Sequence, residues 1–121
     1  MQTLLLADDL WPSLQNGTKR VTVRLGRKDL HRGPLRFQAQ GDPARTCQVH
    51  VLEVRHTRLC DLTRDDLQGY PVADPEGLAP SLARHYPDIQ PESWVTYVRF
   101  EGPTQRPPRR NAIQAVLPNE A

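Results

Sequence analysis

Gly17-Thr18-Lys19-Arg20-Val21-Thr22-Val23-Arg24 is the stretch on which the reading of this 121-residue chain turns. Gly17 permits a tight exit from a preceding helix. From Arg20 the residues alternate polar and apolar, the pattern of a half-buried strand. Val21 and Val23 are expected to face a core, while Arg20, Thr22 and Arg24 share the other surface at steps of roughly 6.5 Å. Two guanidiniums flanking a hydroxyl suit a phosphate or a base edge. Lys19 has the opposite parity and joins that surface only if the chain is still turning there. An ordinary edge strand that carries charge against aggregation has the same pattern.

Charge singles out the same region. The formal net charge is +2, but between Gly17 and Arg36 there are seven bases (Lys19, Arg20, Arg24, Arg27, Lys28, Arg32, Arg36) and one acid, Asp29. Acids outnumber bases in the rest of the chain. A concentrated basic stretch is the footprint of a phosphate-bearing partner, or else a solvated face with none.

Working outward, residues 3–7 read as a short apolar strand. Asp8 or Asp9 can cap a short helix with Leu10, Trp11 and Leu14 on one side, ended by Asn16-Gly17. Gly26 to Gly33 reads as a charged loop. Pro34 to Gln40 alternates with Leu35, Phe37 and Ala39 on one side, and Gly41-Asp42-Pro43 makes a turn. Cys47 to Leu59 is a longer β-like run. Val49 and Val51 share one of its faces; Leu52 and Val54 fall on the other, which points to a bent strand or one covered on both sides. Thr63 starts a short helix with Asp65 and Asp66 in its first turn. Gln68-Gly69-Tyr70-Pro71 is a turn. Leu78, Leu82 and Tyr86 recur at helical spacing, and Pro80 moves the expected helix start to about Ala79. Trp94 to Glu101 is the last strand, with Trp94 expected in the core. Short strands with a few small helices indicate a compact α+β barrel or curved sheet. Residues 1–101 form the expected domain, and 102–121 a flexible Pro/Arg-rich tail.

No apolar run approaches the ~20 residues that cross a bilayer. The N-terminus lacks a basic segment and meets Asp8-Asp9 too soon for a signal peptide, so a cytoplasmic location without membrane association is the expectation. Cys47 and Cys60 read as free, buried thiols. Cys47, His50, His56 and Cys60 offer four zinc ligands on paper. However, Cys47 and Cys60 stand roughly 40 Å apart along an extended strand, and no sharp turn between them brings the four together. No metal, other cofactor or obligate protein partner is called for.

Thr22 with Lys19 can form a hydroxyl–amine pair, with the lysine as base if its pKa is lowered. The order of these motifs resembles the ASCH domain family: Gly17-x-Lys19-x-x-Thr22-x-Arg24 after a short helix, Leu62-Thr63, Gln68-Gly69-Tyr70, Tyr86-Pro87, then a final strand Trp94–Phe100. The resemblance covers about residues 1–101. It implies a small PUA-like β-barrel associated with RNA. Some members resemble amidohydrolases acting on N4-acetylcytidine through a Lys-Thr-Glu trio, others have been linked to RNA cleavage, and others bind only. By that resemblance the trio's lysine and threonine correspond to Lys19 and Thr22, and its glutamate to Gln68. An amide cannot take a proton as a carboxylate does. Gln68 can still read a base edge, and Tyr70 and Trp94 are candidates to stack on the base, with a core position favoured for Trp94.

The leading expectation is therefore a binder of RNA or a modified nucleotide, using Arg20, Arg24, Gln68 and Tyr70. The alternatives are an amidohydrolase on N4-acetylcytidine-like nucleosides or a metal-independent ribonuclease through Lys19 and Thr22. A module whose basic patch docks an acidic protein is the weaker reading. The binder and enzyme readings lose their physical basis if Lys19, Thr22, Arg24 and Gln68 scatter over different faces instead of lining one pocket.

Overall fold

The computed structural model describes residues 1–70 and 75–102. Five strands form one sheet: β1 (Gln2–Leu6), β2 (Val21–Leu25), β3 (Gly33–Ala39), β4 (Asp42–Arg58) and β5 (Trp94–Glu101), in the order β1-β3-β4-β5-β2. β1 runs parallel to β3, and all other neighbours are antiparallel. The N-terminal half of β4 pairs with β3 and its C-terminal half with β5, so one long strand carries both halves of the sheet. The sheet curls into a half-barrel, and with two short helices the architecture is α+β. The helices are short: α1 (Trp11–Gln15), entered through a 3-10 turn at Asp8–Leu10, and α2 (Pro75–Ala83).

Two apolar clusters hold this together. Leu6, Trp11, Leu14, Leu35, Phe37, Val49 and Phe100 make one, with the Phe37 and Phe100 rings 5.2 Å apart. Val21, Val23, Leu67, Leu78, Leu82, Val95 and Tyr97 make the other. β5 is thus covered on both sides, Val98 and Phe100 serving the first cluster and Val95 and Tyr97 the second.

The change of parity in β4 has a local cause. The register shifts between Val51 and Glu53, so Leu52 bulges out at 41% exposure. After that extra residue Val54 returns to the cluster that holds Val49 and Val51. The turn before β4 is also tighter than the sequence indicates, since Asp42 already pairs with Ala39.

Other expectations are corrected. Thr63 does not open a helix: residues 64–69 form hydrogen-bonded turns. They are closed by Thr63 N–H donating to Asp66 Oδ2 and Asp66 N–H donating to Thr63 Oγ1. α2 starts at Pro75 and runs through Pro80. A proline inside a helix costs about 3 kcal/mol, whereas burying Leu78 and Leu82 gains roughly 1.5–3 kcal/mol each. Pro80 itself lies on the exposed side. Cys60 is exposed and Cys47 half-buried. Trp94 is exposed, not in the core. Among the described residues no helix is long and apolar enough to cross a membrane. Apart from Gly102, the expected tail lies outside the described residues, as does the Pro71 end of the turn at Gln68.

One turn fastens the 62–70 segment to the sheet. The Gly69 carbonyl accepts the N–H groups of Arg20 (2.6 Å) and Val21 (3.2 Å). Gly69 has φ +85°, and a Cβ there would lie 2.9 Å from the Arg20 Cβ. Both backbone conformation and space therefore require glycine. Gly69→Ala is expected to destabilise the fold by at least about 1 kcal/mol. Urea unfolding should show a lower midpoint with an unchanged slope.

Candidate functional site

β1 and β2 are the two free edges of the sheet, and the curl brings them to either side of a cavity of about 520 Å³. Leu5 to Ala7 line it from one side and Thr22 to Arg24 from the other. The end of α2 and the residues after it close it with Leu82, Arg84, His85 and Tyr86, and Tyr70 completes the wall. The volume is in the range of small-molecule sites.

The way the chain enters β2 places Lys19 here. α1 ends with Asn16 N–H on the Pro12 carbonyl, and Gly17 takes φ +83°. Lys19 N–H then folds back to the Ser13 carbonyl at 2.9 Å, so the chain is still turning at Lys19 and straightens only at Val21. The side chain points inward and is 2% exposed. Its Nζ donates to the Val21 carbonyl at 2.8 Å and sits 4.9 Å from the Tyr70 ring centroid. Burial, reinforced by repulsion from Arg24, pushes the amine down to about 7.

Thr22 is buried, and its Oγ1 accepts a hydrogen bond from Arg24 Nε at 3.1 Å. Burial pulls the Arg24 guanidinium below its ordinary value, while Tyr86 and Tyr70 beside it act in the opposite sense. Burial also raises the Tyr70 hydroxyl, against the pull of Arg24. At the outer side Arg84 pairs with Asp9 at 3.1 Å, and holds that carboxyl below the usual range. Among the described residues no aspartate or glutamate lines the cavity. Arg24 does, with Lys19 and with Arg84, whose charge is shared with Asp9, so the field of Arg24 and protonated Lys19 favours an anion.

The structure thus brings Lys19, Thr22, Arg24 and Tyr70 together. It leaves out Arg20, which is exposed and engaged through its backbone with Gly69 and Phe100. It also leaves out Gln68, exposed on the outer side of its turn. Tyr86 joins the site although its spacing in the sequence reads as an apolar helix position. Gln40, His85 and Arg84 carry no local signal at all; they reach the cavity only because the sheet curls.

The fold has known counterparts. The ASCH domain from Lactobacillus crispatus JV V101 superposes with a TM-score of 0.52 and 15% identity, over 79% of this chain and 77% of that one. A protein of Enterococcus faecalis V583, described as DUF984, gives a TM-score of 0.54 and 12% identity, over 77% of this chain and 69% of that one. No protein-family profile and no curated protein sequence matches the chain. The protein therefore has an ASCH-like fold.

The buried amine has a measurable consequence. Folded Lys19 holds its proton less tightly than the unfolded chain does. Between about pH 7 and the ordinary lysine value the unfolded state binds more protons, so stability rises with pH, by up to about 1.4 kcal/mol per pH unit. Below that window both states are protonated and this contribution is flat. Urea unfolding at about pH 8 and about pH 9 should show the rise, and Lys19→Met should abolish it.

Proposed function

We propose that this ASCH-like domain binds RNA or a modified nucleotide, and that one nucleotide enters the cavity between β1 and β2. One observation carries the reading: Lys19, buried, and Arg24, half-buried, line a nucleotide-sized cavity beside Tyr70 and Tyr86, with no carboxylate among its described lining residues. A buried cation without a counter-ion is costly, and an incoming phosphate or polarised base edge removes that cost. The tyrosine rings offer flat apolar surface to a base, and Thr22, Gln40 and Ser81 offer polar atoms to its edge. The basic loop and strand ends outside the cavity attract a polyanion without selecting a sequence.

Arg24→Ala should weaken binding of cytidine 5′-monophosphate, or of a short RNA, by roughly 1–3 kcal/mol in titration calorimetry. RNA affinity should also fall steeply with added salt. Unchanged affinity in Arg24→Ala and at high salt would rule the reading out.

A second reading, amide hydrolysis, is favoured by the Lys19 amine near 7 in the same cavity as Thr22. With Arg24 Nε donating to Thr22 Oγ1, the hydroxyl proton is left free for a base. Gln68 has no part in this version, because it lies outside the cavity. The reading requires purified protein to release cytidine and acetate from N4-acetylcytidine, with loss in both Lys19→Ala and Thr22→Val. Absence of turnover in the parent chain eliminates it and leaves the binder.

A further inference from the structure

Trp94 opens β5 and is 54% exposed. Arg58 of β4 stands opposite it in the register, with its guanidinium over the indole at 4.8 Å from the ring centroid. Arg58 Nη1 also donates to the Glu92 carbonyl at 2.9 Å, which holds the guanidinium in that place. One face of the ring thus lies under an arginine, and the exposed surface belongs to the rest of it.

The register ties this pair to the cavity. Arg24 pairs with Thr96, and Thr96 with His56, so these three form one row across β2, β5 and β4. Trp94 and Arg58 form the next row on the same face, one pleat repeat or about 7 Å further along. The loop after β2 spans both rows: Gly26 N–H donates to the Trp94 carbonyl and Lys28 N–H to Thr96 Oγ1, each at 2.8 Å. That loop carries Arg27 and Lys28, both exposed. Arg58 thus lies on the ring itself, and the exposed bases Arg27 and Lys28 follow the Gly26 whose N–H is bonded to the Trp94 carbonyl.

We propose that Trp94 and Arg58 form a second nucleic-acid subsite, where one base of single-stranded RNA stacks while a nearby nucleotide of the same strand occupies the cavity. This rests on the reading of the cavity given above and narrows it: the ligand is a strand, because a mononucleotide has one base and fills only one of the two places. An indole backed by a guanidinium is a preformed stacking platform, and stacking tolerates any base because every base has a π-face. Arg58 and the bases of the adjoining loop meet the phosphates on the way.

The test compares two probes on the full chain by titration calorimetry: cytidine 5′-monophosphate and an unstructured ten-nucleotide oligocytidylate RNA. The oligonucleotide should bind more tightly. Trp94→Ala should weaken it about tenfold or more and leave the mononucleotide unchanged, whereas Trp94→Phe should retain most of the affinity. Arg58→Glu should weaken the oligonucleotide as well. If Trp94→Ala leaves oligonucleotide affinity unaltered, or weakens both probes equally, the platform is overturned. Self-association that depends on Trp94, with no effect of Trp94 on RNA, assigns the ring to a protein interface and also overturns it. Failure of the cavity reading looks different: the parent chain does not bind the mononucleotide at all, and the two-subsite arrangement falls with it.

Discussion

The Gly69 carbonyl accepts two N–H groups at once, from Arg20 and Val21, at the point where β2 begins. Much of the architecture hangs on that contact. It ties the 62–70 segment to an edge strand, which places Leu67 on the cluster of Val21 and Val23 and Tyr70 beside the Lys19 amine. It also satisfies two donors on the free side of β2, which would otherwise form an open strand end. The approach is so close that only a residue without a side chain fits. A turn that looks like a simple connector is thus the clasp of the cavity.

The second constraint is electrostatic. A curled sheet with two unpaired edges has a gap, and here the gap is lined with cations instead of being filled by apolar side chains. Taking Lys19 and Arg24 out of water lowers the proton affinity of both, and their mutual repulsion adds to it for the lysine. A core built for stability alone would not do this. The arrangement fits a site whose charge is completed from outside, with Tyr70 and Tyr86 as its apolar sides. The ASCH-like fold is compatible with that use without specifying it, since a shared fold at such low identity does not transfer chemistry.

Much of the site was legible at the level of residue types. A basic strand after a glycine exit, with a hydroxyl between two arginines, pointed to a segment that lines the cavity. Parity misassigned its members, however. Alternation put Arg20 beside Thr22 and Arg24, but backbone pairing with Gly69 and Phe100 leaves Arg20 outside. Lys19 is in the cavity because the turn from α1 has not ended when the chain reaches it. Gln68 was named through a resemblance in motif order, and the turn in which it sits presents it to solvent. For Trp94 the core was favoured over a stacking role, because large aromatics are usually buried; a strand's first residue can extend past the elements covering the sheet, and Trp94 is exposed.

What the sequence determined by itself is the strands, most of the other elements, and the apolar faces of β2, β3 and β5. Alternation in β2, β3 and β5, the glycine and proline punctuation, and the local excess of bases are properties of short stretches, and short stretches decide them. The tertiary structure alone decided the bulge at Leu52, the passage of α2 through Pro80, and the meeting of β1, β2 and the end of α2 around one space. Those depend on contacts between residues far apart in the chain. So does the proton affinity of Lys19, since the water it loses is displaced in part by the Tyr70 ring. The segment from Gly17 to Arg24 supplies candidate groups in its composition, and the fold chooses which of its side chains face inward.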